Sequence, residues 1–390
     1  LKDFRIILTA QQNSSSNLSE FFRFNDSILQ PDGTYDRGFE SQNTFQQRSF
    51  STSFFTLNTA FSSVENPDFE SPLYEQFLEN RLTVSRRLAN RLERTGQSGD
   101  LAVTGYEAEL TGSPDSSNYG YRYYSVASQP ALITSFLAAY SGNSVENYDL
   151  GVESRTPLPN WQINYDGLNK LDFIKKWTQS IVLKHTYRST YSANNITTNL
   201  LRQKELQDFP LQVPLDNNGD LLQPNQISVI TISEQFSPLI GFDAKLKNKT
   251  TFRLEYKRDR NIALNLTNNQ ITETYGQEWV IGAGYIIPDV KLKFVKLGKR
   301  KTSPQSNLEL RADVSLRNNV TIIRKILEDV VQPTGGQRTT SVKLSADYQI
   351  SSRVQAKLFY NLNATEFQTS QAYPLTTNQF GISVRLNLGR

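Results

Sequence analysis

The sequence contains no cysteine, no methionine and one histidine. Without cysteine there is no disulfide scaffold and no thiolate metal site, and a thiol-free chain suits passage through an oxidising compartment without mispairing. The single histidine, His185, falls on the apolar parity of a strand pattern, where a structural or girdle role fits better than catalysis. No Gly-rich phosphate loop and no metal-ligand spacing occurs. The expectation is a protein that is not an enzyme and carries no cofactor or metal. Long hydrophobic runs are also missing: none approaches the roughly 20 residues a spanning helix needs, which excludes an inner-membrane helical protein. The net charge of +4 is small and dispersed, so nucleic acid is not an expected partner.

What the sequence has instead is period-two alternation, over almost all of Gln226–Arg390. Leu308, Leu310, Ala312, Val314 and Leu316 fall on one parity, with Glu309, Arg311, Asp313 and Ser315 on the other. Val342, Leu344, Ala346, Tyr348 and Ile350 alternate with Lys343, Ser345, Asp347 and Gln349. Phe380, Ile382, Val384, Leu386 and Leu388 alternate with Gly381, Ser383, Arg385 and Asn387. Successive side chains of a strand point to opposite faces, so each segment has one dry and one charged face. A soluble sandwich buries the dry faces against a second sheet, whereas a membrane barrel turns them to lipid. Only 37% hydrophobic residues and a mean hydropathy of −0.50 are compatible with a barrel, which exposes only every second residue to lipid. Its 18 Tyr and 22 Phe fit aromatic girdles, although soluble all-β proteins are rich in both.

In chain order, the pattern predicts strands at Phe4–Ala10, Phe21–Phe24 and Arg48–Phe61, with a polar break at Asn13–Asn17. A loop is expected over Asp26–Asn43 around the turn Pro31-Asp32-Gly33. Lys2–Ile7 begins in mid-pattern, so the chain reads as mature or partial, the C-terminal part of something longer. Residues 62–158 break the alternation. A helix is expected over Tyr74–Arg94 and a shorter one over Pro130–Tyr140, so this stretch reads as an inserted plug, cap or partner-binding segment. Residues 1–61 and 159–390 are the barrel strands on either side.

Further strands are expected at Trp161–Tyr165, Ile181–Tyr187, Ile230–Leu246, Thr250–Thr267, Ile271–Ile287, Leu308–Ile326, Arg338–Ile350, Val354–Leu362 and Asn378–Leu388. The links are a compact turn over Gly167–Trp177, polar loops over Asn194–Asn225, Glu328–Gly336 and Asn363–Leu375, tight turns at Lys247–Thr250 and Ser351-Ser352, and a basic connection over Pro288–Ser306. Thr250–Thr267, at about 3.3 Å per residue, outreaches a bilayer and is expected to carry Arg258 and Arg260 into water. Gly282-Ala-Gly284 lies inside a strand and reads as close packing or a bulge. The fold class is all-β: an antiparallel transmembrane β-barrel sector of about 11 or 12 strands with an inserted, partly helical segment.

Two residue sets follow from parity. Leu254, Tyr256, Leu310, Val314, Leu344, Leu358, Ile382 and Val384 are the expected lipid-facing set. Arg253, Glu255, Lys257, Glu309, Arg311, Asp313, Lys343, Asp347, Lys357 and Arg385 are expected to line a wet lumen, whose mixed charge keeps the wall non-adhesive to passing protein; any barrel interior is polar in the same way. Partner-binding candidates are Phe77, Leu82, Arg86, Arg87 and Leu88 of the Arg-rich helix, whose apolar stripe must bury against something, and the Lys299, Arg300 and Lys301 cluster.

Several strings then resemble one family. Glu234-Gln-Phe-Ser-Pro-Leu-Ile-Gly241, Phe252-Arg-Leu-Glu-Tyr-Lys-Arg-Asp-Arg-Asn-Ile-Ala-Leu-Asn-Leu266 and Asn269-Gln-Ile-Thr-Glu-Thr274 are similar to the C-terminal region of the SprA/Sov family. His185-Thr-Tyr-Arg-Ser-Thr-Tyr191, Phe136-Leu-Ala-Ala-Tyr-Ser-Gly142 and Asn378-Gln-Phe-Gly-Ile-Ser-Val-Arg-Leu386 agree with it. The resemblance implies the outer-membrane translocon of the type IX secretion system of Bacteroidota, also needed for gliding motility. It further implies a very large barrel that conducts folded cargo, a PorV-type shuttle barrel and a plug protein as partners, and the remaining strands on this or another chain. Two other readings stay open: a self-contained porin or transporter barrel, and a secreted all-β adhesin or structural module. Pairing of the first strand with the last separates a closed barrel from a sector.

Overall fold

Backbone pairing dominates the molecule, and it joins twelve strands into one antiparallel sheet. The computed structural model describes the chain apart from residues 1–2, 30–34, 63–68, 99–100, 104, 115, 153–155, 210–211, 292–304, 352, 369–371 and 387–390. We number the strands of this sheet β1 (Phe4–Thr9), β2 (Gln12–Leu29), β3 (Tyr35–Ser53), β4 (Asn160–Tyr165), β5 (Thr178–Thr198), β6 (Asn225–Leu246), β7 (Thr250–Asn265), β8 (Gln270–Lys291), β9 (Gln305–Lys325), β10 (Val330–Ser351), β11 (Val354–Phe367) and β12 (Leu375–Leu386). From β5 to β12 each strand pairs with the next.

The other edge of β5 is shared. β3 covers its Thr190–Thr197 half and β4 its Leu183–Tyr187 half, while β2 pairs β3 and β1 pairs β4. β1 and β2 therefore run end to end, and β3 and β4 lie end to end beside them. The helical segment leaves and re-enters the sheet within this second row: Leu158 N–H donates to the Ser53 carbonyl (3.0 Å) where the strand breaks off. The sheet is open. Among the described residues β12 pairs only β11, and no ladder joins it to β1 or β2.

Several boundaries differ from the sequence expectation. Asn13–Asn17 is not a break, because Ser14 pairs with Phe50 and Ser16 with Arg48 in the β2–β3 ladder. Alternation reports a one-sided dry environment, and a strand that is wet on both faces gives no such signal. Most of Asp26–Asn43 is likewise strand, and Pro31-Asp32-Gly33 lies outside the described residues. The chain leaves the sheet after Ser53, earlier than expected, and Leu57–Thr59 forms a single 3-10 turn. Val330–Gly336 is strand despite its proline and glycines, since Pro333 pairs with Ile322 at a bulge, where a missing N–H is tolerated. The polar link 194–225 holds a helical stretch, Leu200–Asp208.

The inserted segment is built on two helices, α1 (Pro72–Thr95) and α2 (Gln129–Ser141). The Ser71 hydroxyl caps α1 by accepting from Tyr74 N–H, Pro72 occupies the first turn, and Gly96 closes it in the left-handed region at φ 59°. Every residue of α2 from Ala131 to Ser141 is buried, as a helix that is apolar all round requires. One side of it packs on Ile230, Ile232, Ile262, Leu264 and Ile271 of the sheet, and α1 lies on it through Phe77 and Leu73. A second core (Val84, Leu88, Ala89, Leu92, Val103, Tyr106, Tyr124) fills the insert, and Leu221 of the β5–β6 link enters it.

Phe136 sits between α2 and the sheet with no solvent exposure. Phe136→Ala removes a full ring from a site that cannot collapse. We predict a loss of about 3–5 kcal/mol in urea unfolding followed by the helical signal.

Candidate functional surfaces: a charged face, a bare apolar band and a latched insert

Residues directly opposite each other in an antiparallel ladder share a face, so the registers carry parity across the sheet. Leu254 pairs Ile281, which pairs Val314, Val342 and Leu362 in turn. Two residues away the row reads Phe252, Ala283, Ala312, Leu344, Tyr360 and Phe380. All eight residues of the expected lipid-facing set, Tyr256, Leu310, Leu358, Ile382 and Val384 included, lie on this face. Over the half of the sheet nearest the short connections it is bare apart from the buried Tyr348: Ile382 is 70% and Trp279 47% exposed. On β8 the bare stretch runs from Trp279 to Ile287, about 27 Å along the strand and ~20 Å after a tilt of about 40°. Tyr256 stacks on Trp279 (ring centroids 4.6 Å apart) at its upper limit. Ala283, Ala312 and Ala346 floor a trough of about 520 Å³ in it, walled by Tyr285, Leu344 and Phe380.

The opposite face carries the expected lumen set. Arg253, Gly282, Asp313 and Lys343 form one row, and Glu309, Asp347 and Lys357 another. The charges are mostly paired: Arg253 with Glu255 (2.7 Å), Lys257 with Glu278 (3.4 Å), Arg311 with Glu309 (2.6 Å), Lys357 with Asp347 (3.7 Å), and Lys184 with Asp243. Two β8 glycines let carboxylates cross a strand. A Cβ on Gly282 would stand 2.5 Å from Asp313 Oδ1, and one on Gly276 would stand 2.6 Å from Asp259, which reaches across to Arg317 (3.3 Å). Gly282-Ala-Gly284 is thus close packing without a bulge, as the unbroken β7–β8 and neighbouring β8–β9 registers show.

Further up the same strands, the apolar face is covered by the insert and turns ionic. Arg260 does not project into water as expected; it is 3% exposed. Its Nη1 donates to the Thr59 carbonyl (2.8 Å) and its Nη2 to Thr59 Oγ1 (2.7 Å), while Nε lies 2.6 Å from Glu234 Oε2, off the hydrogen-bond axis. Glu234 Oε1 accepts from Thr56 Oγ1 (2.6 Å) and Tyr187 OH (2.8 Å). Arg258 is half-buried, its guanidinium 5.3 Å from the Phe61 ring centroid. A second cluster repeats the arrangement: Arg324 Nε donates to Glu273 Oε2 (2.9 Å), Arg324 Nη2 to the Phe69 carbonyl (2.7 Å), and Tyr140 OH to Glu273 Oε1 (2.5 Å). Arg260, Glu234, Arg324 and Glu273 all stand on the apolar parity, which was the readable sign that protein, not lipid or water, covers them.

The partner-binding candidates fare differently. Phe77 and Leu88 are buried inside the insert, so the apolar stripe of α1 is satisfied internally and does not await a partner. Arg87 is tied down, donating to the carbonyls of Val145 (2.6 Å) and Tyr148 (2.7 Å). Leu82 is half-buried, and Arg86 is exposed and paired with Glu146 (3.3 Å). Lys299, Arg300 and Lys301 lie outside the described residues. His185 is wedged between Trp161 and Phe236, its Nδ1–H donating to the Leu239 carbonyl (2.6 Å).

These features define an open antiparallel sheet with two chemically opposed faces and a helical insert on one of them. No protein-family profile matches the chain, and no curated protein matches it.

Breaking either buried pair leaves an uncompensated charge. Arg324→Met and Glu273→Met are each predicted to cost about 3–5 kcal/mol, and the double variant much less than the sum, in a denaturant double-mutant cycle. In the β5–β6 link, burial raises the Asp220 carboxyl to about 6, against the lowering effect of its hydrogen bonds from Ser125 N–H (2.5 Å) and Oγ (2.6 Å). A raised folded-state pKa contributes stability that is full below about 3.9 and is lost as pH climbs through about 6. The thermal midpoint of the helical signal should therefore fall between pH 4 and 6.5, and Asp220→Asn should flatten that slope.

Proposed function

We propose that this chain is one sector of an outer-membrane β-barrel that conducts proteins, the translocon of the type IX secretion system that its SprA/Sov resemblance implies. On this reading the bare apolar band meets lipid and the ion-paired face lines a water-filled passage for folded cargo. The band carries the proposal: it is continuous across β7–β12, a bilayer crossing in length, and backed by a face that carries the ion pairs of β7, β9, β10 and β11. A crossing strand needs only about 9–11 residues, and closed ladders satisfy the backbone there. The open edges favour a sector over a self-contained porin. Among the described residues β12 and the β1–β2 row each leave a ladder unfilled, and in lipid that demands further strands, on this chain's continuation or on another chain. A soluble adhesin would need a second protein layer over the band, and the insert covers only the other half of that face.

Transport here involves no covalent chemistry. Paired charges hold water without presenting a net-charged or oily wall for cargo to stick to. The insert, on the lipid-parity face of the projecting wall, stands outside the bore and is not a plug within it. The PorV-type shuttle barrel and the separate plug protein are the partners this reading calls for, and gliding motility would depend on the same pore.

The absence of native cysteine makes the test direct. In intact outer membranes, Lys343→Cys and Asp347→Cys should react with a water-soluble maleimide, whereas Leu344→Cys and Val384→Cys should react only after detergent extraction. Equal labelling of all four in a chain recovered without detergent would sink the membrane reading. Deleting the chain should abolish export of type IX cargo; unimpaired export would refute the translocon while sparing the barrel.

A further inference from the structure

The connection between β4 and β5 has a feature that neither face explains. It contains a one-and-a-half-turn helix, α3 (Asp172–Trp177), in which Phe173 and Trp177 are four residues apart and so lie on one side. They are 70% and 71% exposed, and neighbouring Leu171 is exposed too. Such aromatics are ordinarily covered. Lys175 and Lys176 are exposed on the same turn.

The connection is held rigidly. The Asn169 side chain brackets Ile181, donating to its carbonyl (2.9 Å) and accepting from its N–H (2.6 Å). Thr178 Oγ1 donates to the Ile174 carbonyl (2.9 Å), and the Trp177 carbonyl accepts from Lys247 N–H (3.1 Å). That last bond joins α3 to the β6–β7 turn, where Lys247 and Lys249 are also exposed. None of these four lysines has an ion-pair partner among the described residues; the nearby Asp3 is already taken by Lys170 (2.5 Å). Two bare aromatics ringed by four unpaired cations thus sit at the end of the sheet where the bare band terminates.

We propose that Phe173 and Trp177, with Lys175, Lys176, Lys247 and Lys249, form an interfacial anchor that seats this end of the sheet in the headgroup layer of a phospholipid leaflet. Amphipathic rings settle at the boundary between acyl chains and headgroups. Lysine stems lie along apolar surface while their ammonium groups reach lipid phosphates, and attraction grows with the anionic content of the leaflet. The anchor rests on the lipid-facing reading of the band, and adds to it which end meets phospholipid headgroups and at what depth. Because the shortest links, β6–β7 and β10–β11, lie on the same side as α3, this is the periplasmic leaflet of the proposed barrel.

Tryptophan quenching by brominated lipids separates the two ideas. Trp161→Phe with Trp279→Phe leaves Trp177 as sole reporter, and Trp161→Phe with Trp177→Phe leaves Trp279. In reconstituted phosphatidylcholine vesicles, Trp177 should be quenched by bromines near the headgroup and not by those at the chain end, while Trp279 is quenched by acyl-chain bromines. Quenching of Trp279 without Trp177 overturns the anchor, leaves the band intact, and assigns the patch to water or a protein partner. Quenching of neither removes both. Adding phosphatidylglycerol should strengthen the shallow quenching of Trp177. Replacing the four lysines by glutamine should abolish that gain without altering Trp279, and an unchanged gain overturns the role of the lysines.

Discussion

Every structural feature depends on one constraint: an antiparallel ladder fixes the face of each side chain, and transmits that choice from strand to strand without slippage. A shift of one residue anywhere between β5 and β12 would put Arg253, Asp313 and Lys343 among Leu254, Val314 and Leu344 on the far strands. The irregularity around Ser237–Leu239 shows how closely parity is kept. β6 pairs Phe236 with Arg258 and Ile240 with Tyr256, so three residues answer one, and the inward and outward sets continue unchanged on either side.

Parity also explains how a single face serves two environments. Over β7–β9 it begins with aliphatic and aromatic side chains left bare, and ends with isoleucine, arginine and glutamate under α2 and Leu57–Thr59. A guanidinium beneath protein is tolerable because it is given a carboxylate and carbonyls at once. Arg260 has Glu234 and the Thr56 and Thr59 carbonyls, and Arg324 has Glu273 and the Phe69 carbonyl. Such clusters add little net stability compared with apolar packing, but they penalise any other seat for the insert, because each displaced partner would leave a buried charge alone.

Much of this was readable from the residues. The strands from Ile230 to Val384, the two helices with their Ser71, Pro72 and Gly96 signals, and the division into two faces all follow from periodicity and capping. Two kinds of feature were not. Stretches of strand wet on both sides, such as Asn13–Asn17, carry no alternation to read. Contacts across the sheet were invisible as well: nothing local to Arg260 says that Thr59 covers it. The four charges on an oily parity did mark the boundary between bare and covered wall, and their meaning lay in the mismatch itself. The helical stripe of Phe77 and Leu88 was read correctly as needing cover, but that cover comes from Leu132, Ala131 and their neighbours within the insert.

The break between β3 and β4 has a consequence for how such a wall can change over time. The chain departs after Ser53 and resumes at Asn160, and one hydrogen bond, from Leu158 to Ser53, spans the gap. What lies between can therefore lengthen or shrink in its outer loops without moving a single downstream pairing, so long as Thr56, Thr59 and Tyr140 still meet the buried ion pairs. The row behaves as a socket: its rim is dictated by the ladder, its floor by those few contacts, and only the parts of its occupant beyond them are free to diverge.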